Sequence, residues 1–589
     1  MKPARPGTPV RRRLVVVRTA AAALVCAVCA VRAEARVHRY GDIEISEVDI
    51  PSANSWHGYA AYRYTIVNRS TSAGHTVELR LPAEMHWPCA YVSTTTTVAP
   101  GATADVTLYQ PPLNVEGNDV GVAIDGEEER PMPLGLVAHA RHDYHQITLL
   151  ATRTHAESLR RANARGMGHE LEVEQPPVGV ARWATHWLAY SRYDAVVVSG
   201  SDCAAMGPGV REALTRYVAC GGTLVVFGPM DPPDDWFRLG RHPDDMTRCA
   251  VGFGMCFIVP GDSAGLSQRS LEVMLRTWHG EMPKRSASMS VREANRALPV
   301  VEDLGVPAGG MFVVMLLFVI AAGPVNLLVL SKLGRRVWML WTVPAVALVT
   351  CLAVFLYALL AEGWSGHTRT AAVTILDQRN HRAATIGLAG FYSPLTPGDG
   401  LHFSRDTEAV PQWGDMHDYR GRRGTPEAHW SQDQHLRGGW ISARVPVHFR
   451  LRKAETRRER LDVAAAPDGT VIVVNGLGAR IRRLHLADAN GRIHEATDVK
   501  PGAQAVLKAT SQRTRLDRAA TLSSLQTMLV NGPVYTLKGL ADSQGDFLLP
   551  STYVAELDGA PFVESALAGA EDEESRSVVY GILGGGGGR

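Results

Sequence analysis

Met311–Leu330 reads MFVVMLLFVIAAGPVNLLVL, and Val337–Ala361 reads VWMLWTVPAVALVTCLAVFLYALLA; neither stretch holds a charged residue. Crossing hydrocarbon takes about 20 apolar residues, and a core helix of a water-soluble domain keeps a polar face that both stretches lack. They predict a two-helix transmembrane hairpin, 311–330 and 337–361, joined by a loop at 331–336. That loop carries Lys332, Arg335 and Arg336. Under the positive-inside rule these three cations determine the topology: loop cytoplasmic, both flanks on the far side. Trp338 and Trp341 suit the inner interface, and Tyr357 and Trp364 the outer one. Gly323, Pro324 and Asn326 interrupt the first span. Pro324 removes a backbone donor and Asn326 needs a partner inside lipid. Without an intramembrane Asp, Glu, Lys or Arg, they read as packing residues between the helices and not as an ion path.

Outward from the hairpin, the N-terminus agrees with this topology. Lys2, Arg5, Arg11, Arg12, Arg13 and Arg18 precede an apolar run from Ala20 to Val31, and Ala33-Glu34-Ala35 offers small residues for a peptidase. Residues 1–35 therefore read as a signal peptide, with an uncleaved anchor as the alternative. The chain has 589 residues, a net charge of +2 and 20% charged residues. That length calls for several folded units, and the charge balance excludes nucleic acid as a partner. Of eight cysteines, Cys26 and Cys29 fall in the signal and Cys351 in the second span, leaving Cys89, Cys203, Cys220, Cys249 and Cys256. Cys249 with Cys256, or Cys203 with Cys220, could close a disulfide, and the odd count leaves at least one thiol over.

The remainder predicts a multidomain chain that is part α/β and part all-β. Residues 36–140 read as an N-terminal β-sandwich: Ala61–Asn68 and Thr76–Leu81 alternate, Val92–Val98 ends at Pro100-Gly101, and Val106–Tyr109 and Val120–Ile124 follow. Residues 141–300 alternate strands with helices. Gln146–Thr152 and Tyr193–Ser199 are strands, Gly209–Ala219 is a helix capped by Gly221-Gly222, and Thr223–Phe227 is the next strand; this order implies a parallel sheet. Beyond the hairpin, 366–575 reads as a C-terminal β-sandwich region with a polar loop inserted at 405–440. The run from Arg450 to Arg460, interleaved with Glu455 and Glu459, reads as a solvated face, and 576–589 as a disordered Gly-rich tail.

YDAVVVSGSD (193–202), PGVREALTRYVACGGTLVVFGP (208–229) and GPVNLLVLSKLGRRVWMLWTVP (323–344) together resemble uncharacterised bacterial envelope membrane proteins. In that group a glutamine-amidotransferase-like, flavodoxin-like extracytoplasmic domain is followed by a two-helix transmembrane hairpin. The resemblance implies a flavodoxin-like parallel domain at 141–300. It also implies a cysteine nucleophile between glycines, with a histidine and an acid. Cys203 follows a strand, but Ser201 and Ala205 stand where those glycines belong, and His279-Gly280-Glu281 supplies the His-x-Glu spacing.

The weak catalytic candidates are thus Cys203, His279 and Glu281. For a ligand, the weak candidates are Asp231, Asp234 and Asp235, in an acidic loop with Asp244 and Asp245 beyond a strand's carboxyl end. His139, His142 and His145 do not share one strand face, Gly252-Phe253-Gly254 lacks a phosphate loop's remaining elements, and neither a metal nor a cofactor is expected. The function so implied is that of a membrane-anchored extracytoplasmic binding or scaffold protein of the bacterial envelope, two-pass in the inner membrane, with a non-catalytic amidotransferase-like domain. The alternatives are a Cys-dependent envelope hydrolase or amidase, and an accessory subunit of an export or ABC-type complex. The expected partners are the lipid bilayer and other envelope or transporter subunits.

Overall fold

A computed structural model describes residues 36–51, 57–82, 91–112, 119–134, 147–163, 171–241, 245–267, 269–275, 277–278, 289–301, 308–362, 365–413, 425–466, 470–513 and 548–584. The architecture is mixed and mostly β, with several sheets. The predicted signal peptide, Cys89, Trp364 and the histidines at 139, 142 and 145 lie outside the described residues, as do residues 585–589 of the predicted disordered tail, whereas its first part, Arg576–Ile582, is a largely buried strand.

The N-terminal unit has two facing sheets. In one, Val37–Tyr40, Ile43–Asp49, Ala60–Asn68 and Thr103–Gln110 pair in that order. Period-two alternation sends Tyr62, Tyr64 and Ile66 inward, each at most 1% exposed. Val77, Leu79 and Val92 of the second sheet complete the same core. That second sheet holds a surprise for the sequence reading. Its order is Leu401–Phe403, Gln434–Leu436, Glu427–Trp430, Tyr91–Val98, His75–Leu81, Asp119–Ile124 and Glu127–Pro133. Three of its seven strands come from beyond the apolar helices. Glu427–Trp430 runs parallel to Tyr91–Val98, and the Thr94 hydroxyl donates to the Trp430 carbonyl at 2.8 Å. The stretch expected as a polar loop at 405–440 therefore holds strands, each too short to show a clear alternation on its own.

The α/β unit contains five parallel strands: Ile147–Ala151, Leu171–Glu174, Ala195–Ser199, Thr223–Phe227 and Gly254–Val259. Numbered first to fifth along the chain, they lie in the order 2-1-3-4-5, and antiparallel Thr247–Val251 and Phe237–Arg241 extend the far edge. The helix Pro208–Ala219 carries proline at its first position and stops where Gly221 takes φ of +100°, a backbone state glycine adopts without a Cβ penalty.

Beyond the apolar helices, a large sheet runs Thr407–Pro411, Val447–Thr456, Arg382–Tyr392, His367–Asp377, Arg576–Ile582, Thr552–Asp558, Arg480–Ala487, Arg492–Val499 and Lys508–Arg513. Phe253, at the tip of the α/β unit's last hairpin, is buried in a cluster with Val373, Ile375 and Ile386 of this sheet. The predicted solvated face at 450–460 is exposed only in its second half, as at Arg458 and Arg460. Arg452 and Lys453 are each only 7% exposed, because Glu408 pairs with the first, and Glu455 and Glu564 with the second.

The apolar region is helical over Ala308–Ile320, forms a π-helical turn over Ala321–Val325, and is helical again over Asn326–Lys332 and Met339–Glu362. Among the described residues, Phe312–Lys332 is long and apolar enough to cross a membrane by length and composition; Met339–Phe355 is a shorter apolar helix. Two full spans were expected, and one meets that criterion.

Candidate functional site

In an open parallel sheet, ligands bind beyond the carboxyl ends of the strands, where the strand order reverses. Here the reversal lies between Ile147–Ala151 and Ala195–Ser199, and this end carries Cys203. Ser199 caps the short helix Gly200–Ala205: its hydroxyl accepts from the Asp202 amide at 3.0 Å, and the Asp202 carboxylate accepts from the Ser199 amide at 2.9 Å. Thr152, at the end of the neighbouring strand, donates its hydroxyl to the same carboxylate at 3.2 Å. Asp202 is thereby occupied as a cap. Gly200 has no substitute at this bend, since a Cβ there would collide with the Pro229 carbonyl oxygen.

Cys203 follows directly, half-buried. Burial pushes its thiol up to about 11; Asp202 adds to the effect and Arg211 opposes it. A nucleophilic cysteine requires the opposite shift, a thiolate stabilised near neutrality by a cation or an imidazolium. His279 and Glu281 lie outside the described residues. Cys203, Cys220, Cys249 and Cys256 are all free thiols. Neither proposed disulfide is formed, although Cys249 and Cys256 sit directly opposite each other on adjacent strands.

One arrangement at this end has no short motif to announce it. His155 is 2% exposed, its Nδ1 lies 2.8 Å from the Ser263 hydroxyl, and its ring packs on Phe227 with centroids 4.8 Å apart. Asp262 caps Ser263, accepting from its amide at 2.6 Å and its hydroxyl at 3.2 Å. Burial lowers the His155 pKa against the pull of Asp262 and Asp202, which favours the neutral ring. A hydroxyl nucleophile needs a base on one side and a carboxylate on the far nitrogen of that base. Here the carboxylate sits on the hydroxyl's side, and His155 Nε2 is buried without a hydrogen-bond partner among the described residues. The order is wrong for a relay and right for a tie between the helix Arg153–Asn163 and the turn Ser263–Gly265.

The acidic loop does not act as a set. Asp231, Asp234 and Asp245 are exposed and Asp244 lies outside the described residues, whereas Asp235 is part-buried. Asp235 accepts from Asn380 Nδ2 at 3.2 Å and pairs with Arg382 at 3.4 Å, and Arg382 also reaches Glu212 at 2.8 Å. It is a joint between the α/β unit and the large sheet. Two clefts open between units, one between the N-terminal and α/β units, lined by Asp49, Arg63, Trp183, Tyr190 and Arg192, the other between the α/β unit and the large sheet, lined by Arg216, Trp236, Arg382 and Glu455.

In the apolar helices, the Asn326 side-chain amide donates to Thr342 Oγ1 at 2.8 Å, joining the two. Pro324 lies within the π turn. A Cβ on Gly323 would meet nothing within 4 Å among the described residues, so close helix approach does not require that glycine. Lys332 ends its helix, Gly334 turns the chain at φ of +67°, and the Arg335 guanidinium stacks over Trp338 at 5.0 Å. Arg336 begins the short helical turn Arg336–Trp338. Compared with protein-family models and with curated proteins, the chain matches none.

Proposed function

We propose that the chain is a two-pass, membrane-anchored binding or scaffold protein of the bacterial envelope. Its soluble units lie together on the extracytoplasmic side, and its flavodoxin-like domain serves as a platform and not as a catalyst. The observation that carries this reading is the joining of the chain before the apolar helices to the chain after them. Arg369 Nη1 donates to the Pro299 carbonyl at 2.8 Å, and His448 Nε2 meets the Leu298 carbonyl at 2.8 Å. Farther out, Glu427–Trp430 shares a sheet with Tyr91–Val98. Segments so tied occupy one side of a bilayer, so the chain between them crosses an even number of times. The 24-residue helix Met339–Glu362 supplies the return, and Lys332, Arg335 and Arg336 orient the turn inward.

The strand order 2-1-3-4-5 supports the flavodoxin-like reading. The high pKa of the Cys203 thiol and the structural use of Asp202 and Asp235 support a platform role, since fold alone does not confer activity. Reporter fusions test the topology. A cytoplasm-active reporter inserted at Gly334 and an export-dependent reporter fused after Leu583 should both be active. Cytoplasmic placement of the second would overturn the proposal.

A further inference from the structure

Leu401–Phe403, Gln434–Leu436 and Glu427–Trp430 form the outer end of the N-terminal unit's larger sheet. Their registers place His402 opposite His435, and His435 opposite His429. Each histidine alternates with buried neighbours, so the three form one row on the sheet's outer face. The His402 and His435 rings stack with centroids 4.0 Å apart and planes within 20°. Asp399 closes the cluster: its Oδ2 lies 3.2 Å from His402 Nε2 and its Oδ1 lies 3.7 Å from His435 Nε2. Asp433 stands behind, 2.6 Å from His402 Nδ1.

This arrangement matches a metal site in both of its layers. Ligand atoms from Asp399, His402 and His435 all lie within 4.8 Å of one another. Around zinc, ligands at about 2.0–2.2 Å in tetrahedral array stand about 3.3–3.6 Å apart; the 3.2 Å from His402 Nε2 to Asp399 Oδ2 is close to that edge, and His435 Nε2 lies 3.7 Å from the other carboxylate oxygen, Oδ1. A carboxylate on the far nitrogen of a ligating histidine fixes its tautomer and ring orientation, which is the place of Asp433. With the His402 Nδ1 proton directed at Asp433, its Nε2 lone pair faces the Asp399 carboxylate. That contact is repulsive unless a proton or a metal cation stands between them.

We propose that Asp399, His402 and His435 bind one borderline divalent transition-metal ion, Zn²⁺ by ligand type. Asp433 orients His402, and a fourth position stays open to water. Binding displaces the contact His435 Nε2 makes with the Asp399 carbonyl at 2.8 Å and shifts that ring's proton from Nε2 to Nδ1, leaving Nε2 as the ligand. Arg437, 3.4 Å from His435 Nδ1, is the one cation close to these ligands in the contacts described; it opposes loading. His429 makes its own bond to Ser93 at 3.0 Å and lines the site without joining it.

The test uses the full chain in detergent, stripped with chelator and titrated calorimetrically with Zn²⁺. Co²⁺ serves as a second probe, whose visible absorption reports nitrogen and oxygen ligation. One equivalent should bind. His402→Ala and His435→Ala should each abolish it, and Asp433→Asn should weaken it by about 10- to 100-fold. His367→Ala, in the other described cluster with Glu571 and Glu573, should leave binding unchanged. All four positions are at or near the surface, and far-ultraviolet dichroism checks that each variant is folded. Absence of binding to the parent chain, binding that survives both ligand substitutions, or loss on His367→Ala would overturn the proposal.

Discussion

Arg452 sits where the three soluble parts meet, and replacing it offers the sharpest test of their interdependence. Its Nε donates to Glu408 Oε1 at 3.1 Å and its Nη2 to the other carboxylate oxygen, with the two residues 7% and 1% exposed. Nη1 reaches the Cys220 carbonyl at 3.4 Å and Nη2 the Ser191 carbonyl at 3.5 Å, both in the α/β unit. Ser191 in turn receives the Tyr59 amide from the N-terminal unit at 2.7 Å. Arg452→Met leaves the Glu408 carboxylate buried beside an apolar chain, and breaking a buried pair from one side costs about 3–5 kcal/mol. Adding Glu408→Leu removes the stranded charge. Only the two carbonyls then lose a donor, and the double variant should fall within about 2 kcal/mol of the parent. Urea unfolding in detergent, followed by tryptophan fluorescence, measures both; Trp187 and Trp430 are buried on different sides of the junction. A single variant costing under about 1 kcal/mol, or a double variant costing as much as the two singles summed, would refute the reasoning.

Two further outcomes concern titrating groups. Burial raises the Asp49 carboxyl from 3.8 to about 6, with Arg63 opposing and Glu174 reinforcing the shift. The folded state therefore holds this proton more tightly than the unfolded chain, and the group's contribution is intact below about pH 4 and lost as pH rises to about 6. Relative to the parent, Asp49→Asn should gain up to about 3 kcal/mol between those limits, and a difference that stays flat with pH in urea melts would contradict this. The Cys203 thiol, raised to about 11 by burial, should be alkylated by iodoacetamide at neutral pH about a hundredfold more slowly than an exposed cysteine. Mass spectrometry of the tryptic peptide reads the rate, and labelling at the speed of a free thiol would restore the nucleophile reading.

What the sequence made legible was local. The apolar runs at 311–330 and 337–361 follow from composition alone. Thr223–Phe227 and the helix ending at Ala219 follow from an apolar strand and a glycine stop. The exclusion of Cys203 from a nucleophile turn rests on two missing neighbours, and its burial points the same way. Pairing across distance was not legible. Arg452 and Lys453 look like surface charges because nothing nearby in sequence announces Glu408 or Glu564, and a cation is buried only when its partner arrives with it. Asp235 reads as a loop acid until Arg382 is placed beside it. The histidines at 402 and 435 lie on different strands with no compact motif, so their adjacency exists only once the ladder is formed.

The strand exchange across the apolar helices also has a physical reason. Tyr91–Val98, YVSTTTTV, is β-branched and eight residues long; left at the rim of its sheet it would present an open ladder to any other chain. The opposite rim, Glu127–Pro133, defends itself with Glu127, Glu128, Glu129 and a terminal proline. Tyr91–Val98 has no such defence and is covered instead by Glu427–Trp430. The sheet then ends in Leu401–Phe403, three residues long and flanked by charge from Asp399 and Asp433. The far portion of the chain thus closes the near portion's exposed edge. That closure places the histidine row at the rim, where metal binding and edge protection concern the same few residues.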